Sequence, residues 1–312
     1  MLNVSRTVLI ISIIVVLGTS NSIGENQLKR EFEAIKLGVK VKVNSLNMNV
    51  NIMGEKNDIT LVLIPGLGVV APAISYKAFA ESLADKYKII IIERFGYGLS
   101  DITKEERINE NLVSELHTCL QQLGVKKYYL MAHSIGGIYC LAYANKYPEE
   151  VLGFIGLDNT PKSQDERKLG SLEAFVNNLG RLSYKLGLFR FMPEKFISNF
   201  IYLDNTYQYS SEDLINLNII FRYTSFNDNI SNEKDNLVKN INDVISLNFP
   251  DNMPVIMFLA SENCKSVPDW EDSHRDMLNN HPDSEIIILE GTHYIYKDQR
   301  KAISDKLKTW IK

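Results

Sequence analysis

The chain has 312 residues, of which 45% are hydrophobic and 23% are charged, and its formal net charge is −4 at pH 7. These values supply one large globular α/β domain with an insertion, and no low-complexity tract or internal repeat is present. The acidic balance argues against nucleic acid as a partner, because phosphate binding needs a basic surface. The three cysteines, Cys119, Cys140 and Cys264, lack metal-ligand spacing and are too few for a disulfide framework.

The N-terminus carries an apolar stretch over residues 7–18, preceded by Arg6. This stretch is short for a membrane span of about 20 residues, which favours a signal peptide cleaved near Ser20 or Ser22. The alternative is an uncleaved anchor with Arg6 on the inner side, because no Ala-x-Ala cleavage site is present. In both cases residues 1–24 predict an extracytoplasmic protein, either secreted or anchored to the membrane.

The polar residues 25–36 predict a tether or a short surface helix, and two strand-like runs follow at 39–43 and 48–53. In the first run valines alternate with lysines, which predicts a half-exposed antiparallel edge. The run over 60–64 is apolar throughout, as in a strand buried on both faces of a parallel sheet. It leads into Pro65-Gly66-Leu67-Gly68, which is either an ordinary strand-ending turn or a loop that donates an N–H group to an oxyanion.

Another buried strand is predicted over 88–93, followed by the glycine-containing turn at 94–101 and a helical pattern over 105–123. Beyond it, the segment Ala132-His133-Ser134-Ile135-Gly136 lies between an apolar run and a second helical pattern. A tight turn from strand to helix would expose the hydroxyl of Ser134 to a base. Strand alternation predicts that the His133 side chain points away from that face and braces the turn.

The strand-like run over 152–157 ends at Asp158. The alternation of predicted strands and helices is then interrupted over 162–252. Apolar residues recur at helical spacing in this interval, which predicts a mostly helical insertion. A further run over 254–259 leads into a loop that contains Glu262. The last run, over 284–289, precedes His293 and a final helix predicted over 297–311.

The turns PGLG, ERFGYGLSD and AHSIGG and the loop EGTHY each follow a β-rich run, and together they frame residues 60–296. In this order they resemble the α/β-hydrolase superfamily, specifically its branch with a serine nucleophile and a lid. The resemblance implies a mainly parallel central sheet with helices on both faces. It assigns this core to residues 37–161 and 253–312, and a helical cap to residues 162–252.

The resemblance implies that Ser134 is the nucleophile and that His293 is its general base, since imidazole titrates near neutral pH. The oxyanion would be held by the backbone N–H groups of Leu67 and Ile135. The glycines that support these turns are Gly66, Gly68, Gly136 and Gly137.

Three carboxylates compete to orient His293. Glu262 ranks first, because the family usually places the acid after the penultimate core strand. Asp269 is a further candidate in the same region. Asp158 ranks second, because some relatives place the acid after an earlier strand, although an aspartate there often only caps a turn.

The predicted activity is that of a serine hydrolase that cleaves an ester, amide or thioester of a small or acyl-chain substrate through an acyl-enzyme. No metal or organic cofactor is implied. Serine at the nucleophile position argues against the haloalkane dehalogenase and epoxide hydrolase branches, which use aspartate there. The alternatives are an aminopeptidase, a carbon–carbon bond hydrolase, or a non-catalytic membrane-tethered binding protein of the same fold. The oligomeric state is left open.

Overall fold

The computed structural model describes residues 24–162, 171–197, 201 and 203–312. Eight strands form a single sheet: β1 (Val39–Val43), β2 (Leu46–Met53), β3 (Thr60–Ile64), β4 (Lys88–Glu93), β5 (Tyr128–His133), β6 (Val151–Leu157), β7 (Val255–Ala260) and β8 (Glu285–Leu289). Their order is β1-β2-β4-β3-β5-β6-β7-β8. The pairs β1–β2 and β2–β4 are antiparallel, and all later pairs are parallel. The prediction of a mainly parallel sheet with an antiparallel edge is confirmed.

The described helices are α1 (24–34), α2 (Pro72–Ser75), α3 (Lys77–Glu81), α4 (Asn109–Gln122), α5 (Gly136–Lys146), α6 (Ser171–Lys185), α7 (Glu194–Ile197), α8 (Ser211–Thr224), α9 (Asp228–Asp235), α10 (Leu237–Asn242), α11 (Ser261–Ser266), α12 (Trp270–Arg275), α13 (Ile295–Asp298) and α14 (Arg300–Trp310). A 3-10 helix at Leu188–Phe191 follows α6. None of these helices is both long and apolar enough to cross a bilayer. The predicted signal peptide or anchor lies outside the described residues.

Helices cover both faces of the sheet because its central strands are apolar on both faces. Val62 of β3 and Ile90 of β4 belong to one buried cluster, which α4 and α5 complete. Their chain neighbours Leu61 and Ile89 belong to a second buried cluster, which α3 and α14 complete. This division follows from the two-residue period of a strand. The carboxyl ends of the parallel strands are thereby held at one edge of a rigid sheet.

The insertion between β6 and β7 is helical, as predicted, and contains α6 to α10. The helix α8 begins with a reciprocal capping box, in which Ser210 accepts from the backbone N–H of Asp213 and the Asp213 carboxylate accepts from the Ser210 backbone N–H. Lys77 of the core pairs with the same Asp213 at 2.7 Å. The start of α8 is therefore tied to the core of the protein as well as capped.

Two predicted helices differ in extent from those of the structure. The pattern over 105–123 corresponds to α4, which begins only at Asn109. The preceding backbone is held by side chains of the insertion, since Asn232 accepts from the N–H of Arg107 at 2.7 Å and Asn240 accepts from that of Asn109 at 2.8 Å. The final pattern over 297–311 is divided into α13 and α14.

The segment predicted as a tether or a short surface helix forms the helix α1, which packs against the insertion. Leu28 is buried, and the ring of Phe32 stacks on that of Tyr223 in α8 with centroids 4.1 Å apart. The N-terminal helix is therefore part of the folded body of the protein.

Candidate active site

Ser134 lies in a turn between β5 and α5 that places its backbone in the left-handed region, with φ of 53°. Such a conformation costs a non-glycine residue about 1–3 kcal/mol and is kept only where the surrounding structure imposes it. Two neighbouring glycines make the turn possible. A Cβ atom on Gly136 would lie 2.6 Å from the carbonyl oxygen of Ile64, and one on Gly137 would lie 2.6 Å from Cβ of Asn159. Helix and strand can approach this closely only because both positions lack a side chain.

The loop after β3 lies directly beside this turn. A Cβ atom on Gly66 would lie 2.9 Å from both Cβ of Ser134 and Nδ1 of His133. Gly68 has open space around it but adopts φ of 76°, which favours glycine. The structure therefore brings together the two turns that contain the four predicted supporting glycines.

Polar groups on both sides of Leu67 are fixed by the side chains of the turn after β4. Arg94 donates from Nη1 to the carbonyl oxygen of Pro65 at 2.6 Å. The hydroxyl of Tyr97 accepts from the N–H of Gly68 at 3.3 Å. These contacts hold the loop while leaving the N–H of Leu67 without an acceptor among the described residues.

Ile135 follows Ser134 and precedes the first residue of α5. Its N–H also has no acceptor within the described ranges. The N-terminus of a helix carries partial positive charge. The predicted oxyanion donors, Leu67 and Ile135, thus belong to adjacent turns and are both available to a ligand.

The side chain of His293 lies beside a buried carboxylate. Its Nδ1 is 2.6 Å from Oδ2 of Asp158, which is fully buried. Asp158 also accepts from the N–H of Ala260 at 2.9 Å, from Nε1 of Trp270 at 3.0 Å and from Nδ2 of Asn263. Because an ionised carboxylate only accepts, the shared proton belongs to Nδ1 of His293, and Nε2 is left as the basic nitrogen. Asp158 therefore fixes the tautomer of His293.

Glu262, which the sequence ranks first as the acid, lies exposed in the first turn of α11. Asp269 is likewise exposed, at the start of α12. The side chain after β7 that reaches inward is that of the next residue, Asn263, and it contacts Asp158. The geometry therefore favours Asp158 over Glu262 as the partner of His293, which reverses the expected order.

The side chain of His133 is buried and contacts the backbone of the loop that contains His293. Its Nε2 is 2.9 Å from the carbonyl oxygen of His293, so that nitrogen carries the proton. Its Nδ1 then accepts from the hydroxyl of Tyr76 at 3.0 Å, and the same hydroxyl accepts from the N–H of Gly66 at 3.5 Å. Burial lowers the pKa of His133 well below its ordinary value. The neutral imidazole connects the loops that contain Gly66 and His293.

A small cavity of about 70 Å³ lies next to the Leu67 loop. Its walls include Leu67, Val70 and Tyr294 from the core together with Ile201 and Leu217 from the insertion. Two apolar side chains of the insertion therefore border a cavity beside the Leu67 loop. This agrees with the position expected of a cap.

The cysteines are separate from this constellation. Cys119 and Cys140 are buried and Cys264 is partly buried. Burial raises the pKa of Cys119 to about 12 and also raises those of the other two thiols, which disfavours a nucleophilic thiolate. In the described part of the chain, no cluster of three or more His, Cys, Asp or Glu residues is arranged to hold a metal ion.

Sequence reasoning missed the residues that support the histidine and the oxyanion loop. Asn263 directly follows Glu262, and its side-chain amide, not the Glu262 carboxylate, reaches Asp158 and His293. Tyr76 and Trp270 carry no local motif, and their contacts arise only from the tertiary fold.

Comparison with known proteins agrees with this architecture. Residues 59–197 match the family model described as "alpha/beta hydrolase fold". The chain is 28% identical over 290 residues to the uncharacterized protein YbdG of Bacillus subtilis, covering 89% of this chain and 86% of that protein. It is 26% identical over 138 residues to the 2-(acetamidomethylene)succinate hydrolase of Mesorhizobium japonicum, covering 44% and 48% of the two chains.

Among solved structures, the epoxide hydrolase VrEH1 from Vigna radiata superposes with a TM-score of 0.65 at 18% identity, covering 90% of this chain and 99% of that one. At this identity the likeness concerns the fold alone. The strand order, the turn at Ser134, the helical insertion and the matched family model agree with one another. The chain therefore has the α/β-hydrolase fold.

Proposed function

We propose that the protein is a serine hydrolase that cleaves an ester, amide or thioester through an acyl-enzyme, with Ser134, His293 and Asp158 as its catalytic residues. One observation carries the proposal. The 2.6 Å hydrogen bond between Asp158 and His293 leaves Nε2 of His293 basic, and His133, which directly precedes the strained Ser134, contacts the carbonyl oxygen of His293 at 2.9 Å. Asp158 replaces Glu262 in this assignment.

In the proposed reaction, Oγ of Ser134 attacks the acyl carbon while Nε2 of His293 removes the hydroxyl proton. Asp158 stabilises the imidazolium that forms, without itself taking up a proton. The N–H groups of Leu67 and Ile135 bind the oxyanion of the tetrahedral intermediate. The imidazolium then protonates the departing alkoxide, amine or thiolate. Water repeats the sequence and releases the acid.

The fixed loop around Leu67 supports this role for the oxyanion donors. Donors assist most when their orientation is set before the reaction, because no reorganisation is then needed as charge develops. Arg94 and Tyr97 hold the loop from one side, and Tyr76 holds it from the other. The resulting site suits an acyl group, whereas a serine nucleophile does not favour the epoxide hydrolase reaction of structural neighbours.

The proposal is tested by the rates at which the purified protein hydrolyses a panel of nitrophenyl esters, thioesters and aminoacyl amides of increasing chain length. We expect Ser134→Ala to abolish hydrolysis of every substrate that the wild-type protein cleaves. Ser211→Ala, which alters an exposed serine in α8, provides a matched control and should retain full activity. Ester hydrolysis that persists in well-folded Ser134→Ala protein would contradict the proposal, as would complete inactivity of the wild type across the panel.

A further inference from the structure

A continuous apolar face lies on the outer surface of the insertion. It consists of Leu179 and Leu182 of α6, Leu186 directly after this helix, and Leu188 and Phe191 of the 3-10 helix that follows. Their exposed fractions are 52%, 54%, 55%, 57% and 61%. Seven large apolar side chains in the described ranges are more than half exposed, and five of them form this face. Such a concentration of exposed apolar residues marks an interaction site.

The orientation of α6 explains why this face points outward. Leu179 and Leu182 are three residues apart on α6, and the N–H of Leu186 donates to the carbonyl oxygen of Leu182 at 2.9 Å, so the three leucines lie along one side of the helix and its last turn. The opposite side packs inward, where a Cβ atom on Gly180 would contact the ring of Phe226 and the hydroxyl of Tyr184 donates to the carbonyl oxygen of Tyr223 at 3.0 Å. Gly180 and Tyr184 therefore lie on the inward side, while the leucines lie on the outward side.

The apolar face lies next to the point where α1 begins. Gly24 contacts the ring of Phe191, from which a Cβ atom on the glycine would be 3.4 Å away. Glu25 pairs with Arg190 at 3.2 Å. In the sequence, the apolar stretch over 7–18 ends six positions before Gly24. At roughly 3.6 Å per residue, the chain between the end of that stretch and Gly24 can span at most about 22 Å.

We propose that this face lies on a phospholipid bilayer, with its leucine and phenylalanine side chains in the acyl region. An interfacial amphipathic helix buries its apolar side about 5–10 Å below the headgroups. An uncleaved apolar stretch over 7–18 would keep the insertion at the membrane surface, where the face could dock. Lys185 beside Leu186 pairs with Asp228 at 3.6 Å but remains 62% exposed, so its ammonium group can extend towards the headgroups. The proposal concerns an interaction surface and does not depend on the proposed chemistry.

The proposal is tested with the full chain in vesicles of phosphatidylcholine and phosphatidylglycerol. Leu186→Cys is combined with Cys264→Ser and labelled with an environment-sensitive fluorophore, since the other two thiols are buried. The control label is at Ile288→Cys, an exposed apolar position in β8 of the core. We expect lipids that carry a nitroxide on the acyl chain to quench most of the emission at position 186 and little of that at position 288.

Replacing Leu182 and Phe191 by glutamine should reduce the quenching at position 186 while leaving the thermal unfolding curve unchanged, because both side chains are exposed. Equal and weak lipid quenching at positions 186 and 288 would overturn the proposal. So would a label at 186 that is shielded from aqueous iodide but not reached by the lipid quencher, since a second copy of the chain would then cover the face. Chains that separate from the vesicles on flotation would overturn it as well.

Discussion

The Nδ1 atom of His293 and the Oδ2 atom of Asp158 lie 2.6 Å apart, although 135 positions separate the two residues in the chain. The pair forms where β6 ends beside β7 and where the loop after β8 folds back over both strands. Asp158 itself adopts φ of 46°, so its carboxylate is held in an uncommon backbone conformation. Its buried position and its several donors make it a fixed acceptor for the histidine.

Asp158→Asn is expected to lower turnover by about four orders of magnitude with the fold retained, because an amide can donate to Nδ1 of His293 and thereby select the wrong tautomer. The measurement is steady-state hydrolysis of the best ester substrate. Glu262→Gln is the matched control, because its carboxylate is exposed on α11. Equal activity of Asp158→Asn and wild type would exclude the assignment of the acid.

Gly136→Ala is expected to destabilise the fold by about 1–3 kcal/mol, since the new methyl group would meet the backbone carbonyl of Ile64 at 2.6 Å. Chemical denaturation monitors the free energy of unfolding. Ala132→Gly, at the other end of the elbow, provides the comparison, because it removes a methyl group rather than adding one. The steric explanation fails if Gly136→Ala unfolds at the same denaturant concentration as the wild type.

His133 is expected to make stability depend on pH. Its folded-state pKa is lowered by burial, whereas the unfolded side chain titrates near pH 6.5. As the pH falls below about 6.5, His133 becomes protonated in the unfolded state but stays neutral in the folded state. The free energy of unfolding therefore decreases by up to about 1.4 kcal/mol per pH unit. The decrease ends once the pH falls below the folded-state pKa.

Equilibrium unfolding at about pH 7 and about pH 5 measures this effect. The buried His274 also has a lowered pKa and contributes with the same sign, so the informative quantity is the difference between wild type and His133→Gln. The variant should lose less stability on acidification than the wild type. An identical loss in both proteins would show that His133 takes no part.

The ion pair between Arg94 and Glu233 joins the core to helix α9 of the insertion at 2.8 Å, with both side chains buried. Glu233→Ala leaves the guanidinium without its counter-charge, and we expect a loss of about 3–5 kcal/mol in the free energy of unfolding. Turnover should fall as well, because Arg94 also holds the carbonyl of Pro65 beside the oxyanion loop.

The matched control for this pair is Asp235→Ala in the same helix. Asp235 pairs with Arg181 at 2.9 Å, but this pair is partly exposed, so its loss should cost no more than about 1 kcal/mol. Thermal unfolding of both variants would separate the two cases. Similar small losses in both would mean that the buried pair does not link the insertion to the core.

Local patterns in the sequence were sufficient to predict the sheet. The apolar runs that correspond to β3 and β4 are buried almost entirely. The change after Asp158 from alternating strands and helices to apolar residues at helical spacing predicts the helical insertion. Helix α4 shows the limit of such patterns. Its predicted first turn is instead held by Asn232 and Asn240, residues more than 100 positions away that no local pattern connects to it.

The choice between Glu262 and Asp158 could not be made from local sequence for the same reason. It depends on β6 lying next to β7 and on which residue after β7 points inward, and both are properties of the assembled sheet. His133 keeps the alternation of β5, because its ring contacts Tyr76 and Tyr296 of the buried cluster that also contains Met131, but its contact with the carbonyl oxygen of His293 arises only from the tertiary fold.

The most direct test of the central claim is mass spectrometry of the protein after reaction with a fluorophosphonate probe, which modifies only an activated serine. We expect one adduct, located on the peptide that contains Ser134, and its loss in both Ser134→Ala and His293→Ala proteins. A well-folded wild-type protein that forms no adduct, or one that is modified at another serine instead, would contradict it.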